Sequence, residues 1–359
     1  MMLQLKAFTA LAEKISLRNP GIPILNDVCV DNGTIRISDI ENTLVMPLDD
    51  KRSYCIPLEV LKQVFKANPQ EIKISLLEDN KAEIIFDLHS VVCPIRSVEE
   101  YPALPQGDFS SIGTWTKEVI GALHKQLNFA SNDELKPAMT GINVSQNGNL
   151  RSCATDGHIL QYIDDLDMEN KCQLENSFTG ILARKTITLL SQVPAGRMTV
   201  SNSRESPGYL KFDLPGDMCL YARLIDEQFP DYVSILAETK DKSVRIERQK
   251  LLAALRIADK FTSKSTRQGI IDMKNGLLSL STADYERDLA FETNLPTIER
   301  LGSEMKIGFN LRLLEQVITT LPEEEILWRY STPISANLFS GIGNPNVQNL
   351  IMPVRLEED

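Results

Sequence analysis

Apolar residues recur three or four positions apart in six segments of the chain. In residues 57–68 these positions are Leu58, Leu61 and Phe65. Side chains at this spacing share one face of an α-helix, which a folded protein buries. The pattern predicts helices over residues 6–18, 57–68, 116–129, 183–194, 247–261 and 309–321.

Short apolar runs between the helices predict β-strands. After the second helix come "EIKISLL" and "AEIIFDL", and after the last come "EILWRYS" and "SANLFS". An Asn-Gly pair between such runs favours a type I′ hairpin turn, because both central residues need a positive φ. Such pairs stand at Asn32-Gly33, Asn147-Gly148 and Asn275-Gly276.

The turns mark an internal repeat. They are 115 and 128 residues apart, and each lies between two predicted helices. An acidic residue follows each turn: Asp39, Asp156 and Asp284. We therefore predict an α+β fold of three repeated domains, each with two helices packed on antiparallel sheets. The predicted domains are residues 1–113, 114–239 and 240–359.

The charge of the helices differs from that of the whole chain, whose 359 residues have a formal net charge of −11. The six predicted helices contain 14 Lys and Arg against 6 Asp and Glu, whereas the remainder contains 24 against 43. Six basic helices in an acidic chain suggest a common polyanionic partner, such as the phosphate backbone of DNA. The alternative, that Lys and Arg only form the solvated faces of the helices, remains open.

Sequence motifs for catalysis, metal binding and targeting are absent. There is no glycine-rich phosphate loop, dinucleotide fingerprint or nucleophile elbow. The six cysteines have no C-x-x-C spacing, which favours reduced thiols. The three histidines are scattered, which argues against a zinc site. No signal peptide or run of 18 apolar residues occurs. We expect a cytoplasmic protein with no cofactor, metal or membrane contact.

The segment "ATDGHIL", residues 154–160, has the residue types of an active site. Asp156 and His158 could share a face and act as the acid–base pair of a hydrolase. No nucleophile or third, orienting group accompanies them. A repeat scaffold without a DNA role is a second alternative. Since Asp39 and Asp284 occupy the equivalent positions of the other repeats, we predict a structural role for Asp156.

Five motifs occur in a characteristic order: "NPGIPIL" (19–25), "ATDGHIL" (154–160), "FPDY" (229–232), "GFN" (308–310) and "MPVRL" (352–356). With the threefold repeat, they make the whole chain resemble the bacterial replicative sliding clamp, the beta subunit of DNA polymerase III. The resemblance implies a non-catalytic processivity factor. Three domains would form a half ring, and two chains would close head to tail as a homodimer. Helices would line the hole around double-stranded DNA, without reading its sequence.

The resemblance also implies a pocket between domains 2 and 3 that binds short peptides of DNA polymerase, the clamp loader and repair proteins. Its walls would be Met139, Thr155, Gly157, His158, Ile159, Leu160, Pro230, Ser234, Ile235, Pro333, Ser335, Leu350, Met352, Pro353, Val354, Arg355 and Leu356. The family usually has an arginine at the position of Ile159, and often a second at the position of Ser234. Their loss makes this pocket more apolar, and the tail Glu357, Glu358 and Asp359 adds acidic groups beside it.

For DNA contact, the resemblance implies basic residues on the inner helices. Arg184 and Lys185 match the family best. Charge and helix position add Lys14, Arg18, Lys62, Lys66, Lys125, Arg256 and Lys260. The dimer contact would lie at the helix end around Phe261, facing the first domain of the other chain.

Overall fold

The computed structural model of the protein describes residues 2–16, 21–167, 171–194, 196–203, 208–274 and 277–356. The predictions for Arg18, for the Asn275-Gly276 turn and for the tail at 357–359 lie outside the described residues. Among the helices in the described ranges, none is both long and apolar enough to cross a membrane.

All six predicted helices are present, with ends a few residues from those predicted. Two further helices, α4 and α6, are short and were not predicted. Within the described ranges, 3-10 segments lie at Pro23–Asn26, Leu127–Phe129 and Asp259–Phe261. The α-helices of the described residues are α1 (Met2–Ile15), α2 (Leu58–Lys66), α3 (Lys117–Gln126), α4 (Pro137–Thr140), α5 (Arg184–Ser191), α6 (Tyr232–Ala237), α7 (Arg248–Ala258) and α8 (Leu311–Thr319).

The strands confirm the predicted α+β class, and the predicted runs "EIKISLL", "AEIIFDL", "EILWRYS" and "SANLFS" each overlap one strand. Those of the described residues are β1 (Asp27–Asp31), β2 (Thr34–Ser38), β3 (Asn42–Pro47), β4 (Ser53–Pro57), β5 (Ile72–Leu77), β6 (Lys81–Phe86), β7 (His89–Pro94), β8 (Phe109–Thr116), β9 (Ile142–Asn147), β10 (Asn149–Thr155), β11 (Ile159–Ile163), β12 (Gln173–Leu174), β13 (Phe178–Leu182), β14 (Arg197–Ser203), β15 (Tyr209–Leu214), β16 (Met218–Ile225), β17 (Lys242–Glu247), β18 (Gln268–Lys274), β19 (Leu277–Asp284), β20 (Leu289–Pro296), β21 (Glu299–Leu301), β22 (Met305–Asn310), β23 (Glu325–Tyr330), β24 (Asn337–Gly341) and β25 (Asn344–Ile351).

The helices form where an apolar face can be buried. α2 buries the three residues that define its pattern, Leu58, Leu61 and Phe65. Asn310 starts α8, since its side-chain oxygen accepts hydrogen bonds from the first backbone N–H groups of the helix at 3.1 and 3.2 Å. A helix start leaves these amides without a helical partner, so the cap fixes where α8 begins.

The Asn-Gly turns differ from one another. Asn32 and Gly33 both have positive φ, 43° and 90°, and they join β1 to β2 as a type I′ turn requires. At the second pair only Gly148 has a positive φ, 78°. Asn147 there is the last residue of β9 and stays extended, so the predicted type I′ turn at this site is wrong.

The chain forms two compact units. Unit 1 contains Met1–His124, Gln146–Gly148 and Asp167–Asp226, and unit 2 contains Lys125–Ser145, Asn149–Leu166 and Glu227–Asp359. In unit 1, β3 pairs with β16, which joins strands of the first and second predicted repeats. A separate three-stranded sheet has the order β5–β6–β7.

Unit 2 contains the sheet that positions the candidate site. Its antiparallel strands run β10–β11–β25–β24–β23–β17. A buried polar chain holds β11 and β25 in register beneath α8. Gln161 donates to Asn349 at 2.9 Å, and the amide of Asn349 donates to the carbonyl of Val317 at 2.7 Å. A buried amide without these partners would destabilise the fold, so the pairing of the two strands is specific.

Candidate functional site

The segment "ATDGHIL" forms a tight turn between β10 and β11. The Oδ1 atom of Asp156 accepts hydrogen bonds from the backbone N–H groups of His158 and Ile159, both at 2.8 Å. Gly157 has a φ of 93°, a left-handed conformation that glycine adopts without strain. Thr155 closes the turn, because its hydroxyl donates to the carbonyl of Ile159 at 2.7 Å. The Asp156 carboxylate therefore holds the backbone of the turn.

The other two repeats use their acidic residue in the same way. Asp39 accepts from the N–H of Asn42 at 2.6 Å, and Asp284 accepts from the N–H of Arg287 at 3.2 Å. The Arg287 guanidinium also binds the second oxygen of Asp284 and lowers the pKa of that carboxyl. Three equivalent turns with one hydrogen-bonding pattern confirm the prediction that Asp156 is structural.

We expect Asp156→Ala to lower the free energy of unfolding by about 1–2 kcal/mol, because two backbone amides lose their acceptor. Asp156→Asn keeps an acceptor oxygen in the same place and should cost less than half of this. Urea denaturation followed by circular dichroism measures both values. Equal losses in the two variants would assign the effect to the charge and not to the hydrogen bonds of the turn.

The segment after β25 lies along this turn. The N–H of Met352 donates to the carbonyl of His158 at 2.8 Å, and the N–H of Val354 donates to the carbonyl of Gly308 at 2.8 Å. A Cβ atom at position 308 would lie only 2.7 Å from a methyl group of Leu356 and 2.8 Å from the Val354 carbonyl. Glycine alone permits this approach. The motifs "ATDGHIL", "GFN" and "MPVRL" therefore meet in space.

One face of the sheet of unit 2 and the segment from residue 229 through α6 form an apolar cluster. One face of β10, β11, β25 and β24 contributes buried side chains, together with Ala336 just before β24. The half-buried side chains come from Tyr162 of β11 and from the segment from residue 229 through α6. The buried members are Cys153, Leu160, Ala336, Leu338 and Leu350, and the half-buried members are Tyr162, Phe229, Tyr232, Ile235 and Leu236.

Three exposed apolar side chains lie within two residues of cluster members in the sequence. Val233 of α6 is 62% exposed, Ile334 before β24 is 63% exposed, and Met352 after β25 is 39% exposed. Exposed apolar side chains offer contact surface to a partner. We call the cluster and these three residues the apolar patch.

Aromatic rings form one side of the apolar patch. The rings of Tyr162 and Tyr232 are 5.6 Å apart, and Phe229 meets Tyr232 edge to face at 6.0 Å. The hydroxyl of Tyr162 donates to Asp164 at 2.6 Å, and Arg151 donates to the same carboxylate at 2.7 Å. Both contacts lower the pKa of Asp164, while burial raises the pKa of each tyrosine. The phenols are therefore uncharged at neutral pH and fixed in position.

The structure brings together part of the predicted pocket. Leu160, Ile235, Leu350 and Met352 belong to the apolar patch, and Thr155, Gly157 and His158 form the turn beside Met352. Ile159 is 1% exposed and points away from Leu160, because neighbouring strand residues face opposite sides. The remaining predicted residues flank the patch segments in sequence, except Met139, which lies on α4: Pro230, Ser234, Pro333, Ser335, Pro353, Val354, Arg355 and Leu356.

Sequence reasoning missed the aromatic part of the patch. Tyr162 stands two residues after Leu160 in a strand, so alternation places the two side chains on one face. Tyr232 and Ile235 are three residues apart on α6, which is helical spacing. The strand alternation at Tyr162 and the helical spacing at Tyr232 were the sequence signals that could have identified these aromatic residues.

Some of the predicted DNA-contacting residues form ion pairs with protein carboxylates, and others are exposed lysines. Lys62 pairs with Glu13 at 3.1 Å, and Arg256 pairs with Glu315 at 2.7 Å. Lys185 is bound to Asp39 at 2.5 Å, and burial lowers the pKa of the half-buried Arg184. The side chains of Lys14, Lys66, Lys125 and Lys260 are exposed on or next to their helices.

Phe261, the predicted dimer contact, ends the 3-10 segment after α7. Its ring stacks on that of Phe291 in β20, with centroids 5.5 Å apart and planes 10° from parallel. β20 is an edge strand of the sheet β20–β19–β18–β22. Phe261 thus supports a sheet edge, and its role in a dimer stays a prediction.

Similarity to known proteins extends over nearly the whole chain. Residues 233–355 match the family described as DNA polymerase III beta subunit, C-terminal domain. The beta sliding clamp of Synechococcus elongatus is 24% identical over 98% of this chain and 97% of its own length. That of Caulobacter vibrioides is also 24% identical, with the same coverage. Over nearly its whole length, the chain is similar to bacterial beta sliding clamps.

Solved clamp structures have the same fold. The Bacillus subtilis DNA polymerase sliding clamp superposes with a TM-score of 0.83 at 18% identity, over 99% of this chain and 98% of its own. The Pseudomonas aeruginosa sliding clamp bound to griselimycin gives 0.79 at 21% identity and the same coverage. The similarity to beta sliding clamps gives no support to the hydrolase alternative, consistent with the structural role of Asp156.

Proposed function

We propose that this chain is a non-catalytic DNA sliding clamp, in which two copies close head to tail around duplex DNA. The observation that carries the proposal is the charge on the helices of the repeats. Their apolar faces are buried, and Lys14, Lys66, Lys125 and Lys260 remain exposed in a chain with a formal net charge of −11. A surface of this kind attracts phosphate groups without distinguishing bases.

Lysines without a fixed partner suit a sliding contact. Of the predicted DNA-contacting residues, Lys62, Lys185 and Arg256 have protein carboxylates within 3.1 Å. If one of these three side chains moved to contact DNA, its ion pair within the protein would break. Exposed lysines instead follow the moving backbone on long flexible side chains, so we assign the contact mainly to the four exposed ones.

The homodimer would form between two exposed sheet edges. β7 is an edge strand of the three-stranded sheet, and its Val92 is 53% exposed. β20 is an edge strand of the four-stranded sheet and is supported by the stacked rings of Phe261 and Phe291. Edge strands present unpaired N–H and C=O groups, which another strand can satisfy. We propose that β7 of one chain pairs with β20 of the other.

The apolar patch would bind the peptides of partner proteins, among them the DNA polymerase and the clamp loader in the cytoplasm. A short peptide gains affinity from a few apolar anchors, and Met352, Val233 and Ile334 offer exposed contact surface. The fixed rings of Tyr162 and Tyr232 provide a rigid side for an anchor. Griselimycin, which is bound to the Pseudomonas clamp, is a suitable probe of the patch.

Retention on DNA tests the ring. Protein loaded onto a nicked circular plasmid should stay bound when salt rises from about 50 mM to about 200 mM, because enclosure does not depend on phosphate contacts. On the same plasmid cut once, it should slide off the ends. Gel filtration of DNA-bound protein measures both. Equal loss from circular and linear DNA would contradict encirclement.

A further inference from the structure

Unit 1 contains a cavity of about 250 Å³ that the proposed clamp function does not use. It lies among α1, α2, the strands β1, β2 and β4, and the first strand of the separate sheet, β5. Its floor is apolar and buried, since Val30 is 1% exposed, Ile35 4% and Ile56 0%. Protein interiors are normally filled to crystal-like density, so a space of this size stands out.

The side chains around the cavity do not close over it. Leu5, Leu48, Ile72 and Ile74 are apolar but only half-buried. The one hydroxyl of the helical wall, on Thr9, already donates to the carbonyl of Leu5 at 2.8 Å. The interior therefore offers few partners for water, and apolar cavities of this kind stay dry or take up apolar molecules.

The mouth of the cavity is polar and fixed in place. Arg52 binds both oxygens of Asp50, at 2.8 and 2.6 Å, and donates a further hydrogen bond to the carbonyl of Ile74 at 2.9 Å. The hydroxyl of Tyr54 donates to the same carboxylate at 3.0 Å. These contacts hold the loop before β4 against β5 and lower the pKa of Asp50.

The charges at the mouth cancel. Asp49, Asp50, Arg52 and Lys73 all line it, two acidic and two basic. A charged ligand would meet as much repulsion as attraction here, and its charge would lose water in an apolar interior at high cost. An uncharged ligand with a single hydrogen-bonding group would find both donors and acceptors at the rim.

We propose that this cavity is a binding site for an uncharged, largely apolar small molecule of up to two fused rings with one hydrogen-bonding group. An engineered apolar cavity of about 150 Å³ holds benzene, so a larger space admits a bicyclic molecule. Pockets that combine an apolar, aromatic interior with a few fixed polar groups are the usual form of small-molecule sites. A bound molecule would touch both α1 and β5 and so brace the three-stranded sheet against the helices.

Indole and 1-naphthol serve as probes, with full-length protein and isothermal titration calorimetry. Both should bind with one site per chain and compete with each other, and both should raise the melting temperature. Tryptamine and indole-3-carboxylate carry a charge on a similar ring system and should bind at least about tenfold more weakly. Failure of indole and 1-naphthol to bind at millimolar concentration would overturn the proposal, and so would equal affinity for the charged analogues.

The substitution Thr9→Leu tests whether indole binds inside the cavity. It adds volume there, loses only a hydrogen bond within α1, and should weaken indole binding at least about tenfold. Ala10→Leu adds a leucine to the next, exposed position of the same helix and should bind indole as the native protein does. Val30→Ile, which adds one methylene at the floor, is a second variant if Thr9→Leu does not fold. Unchanged indole affinity in the folded filling variant would place the ligand elsewhere and overturn the proposal.

Discussion

A chain ended after Ile351 should lose partner-peptide affinity by about 2–4 kcal/mol, or roughly 30- to 1000-fold. It lacks Met352, whose N–H is bonded to His158 and whose side chain is part of the apolar patch. It also lacks Val354 and Leu356, which lie against Gly308. Fluorescence anisotropy of a labelled peptide from the polymerase subunit of the same genome measures the loss.

A matched truncation after Leu356 removes only three acidic residues. It keeps every contact just described and should bind the peptide at least as tightly as the full chain. Both truncated chains should remain on nicked circular DNA, since neither touches the exposed lysines or the sheet edges. Full peptide affinity in the chain ended after Ile351 would refute the proposed patch.

Reversing two exposed lysines, Lys66→Glu with Lys260→Glu, should weaken DNA binding strongly. Each lysine occurs twice in a dimer, so up to four phosphate contacts are lost. Each lost contact should reduce the slope of log affinity against log salt by about 0.9, or about 3.6 in total. Titration of labelled duplex DNA between about 50 and 200 mM salt gives this slope.

The matched control reverses two sheet lysines, Lys274→Glu with Lys306→Glu. Their side chains are 56% and 60% exposed, but they lie on β18 and β22 near Asp272 rather than on the helices. The change in net charge is the same in both double variants. If the control lowers the salt slope as much as the helix pair, general electrostatic attraction accounts for binding and the helices have no special role.

Local patterns predicted most of the fold because local physics decides it. The spacing of Leu58, Leu61 and Phe65 leaves a helix as the only way to bury all three, and Asn32-Gly33 favours one turn type. The prediction failed at Asn147, where strand pairing keeps the residue extended. The four-residue helix α4 was missed because one turn is too brief for a periodic signal, and on α6 the helical spacing of Tyr232 and Ile235 was overlooked.

The candidate site was harder to predict because its parts are distant in sequence. Its motifs were found, but the register that sets Leu160 opposite Leu350 depends on buried partners such as Asn349. Nothing in the local sequence shows that Ile159 faces inward against Ile351 while Leu160 faces the patch. The resemblance pointed to these segments, and the pairing of the strands shows which of their side chains share the face of the apolar patch.

The pairing of β11 with β25 also sets an order of events during synthesis. Gln161 and Asn349, which bond across these strands, are 188 residues apart. At about 5–20 residues per second, β25 leaves the ribosome roughly 10–40 s after β11. For that interval β11 has β10 on one side and an open edge on the other. The surface proposed to bind partner peptides is thus one of the last parts of the nascent chain to be completed.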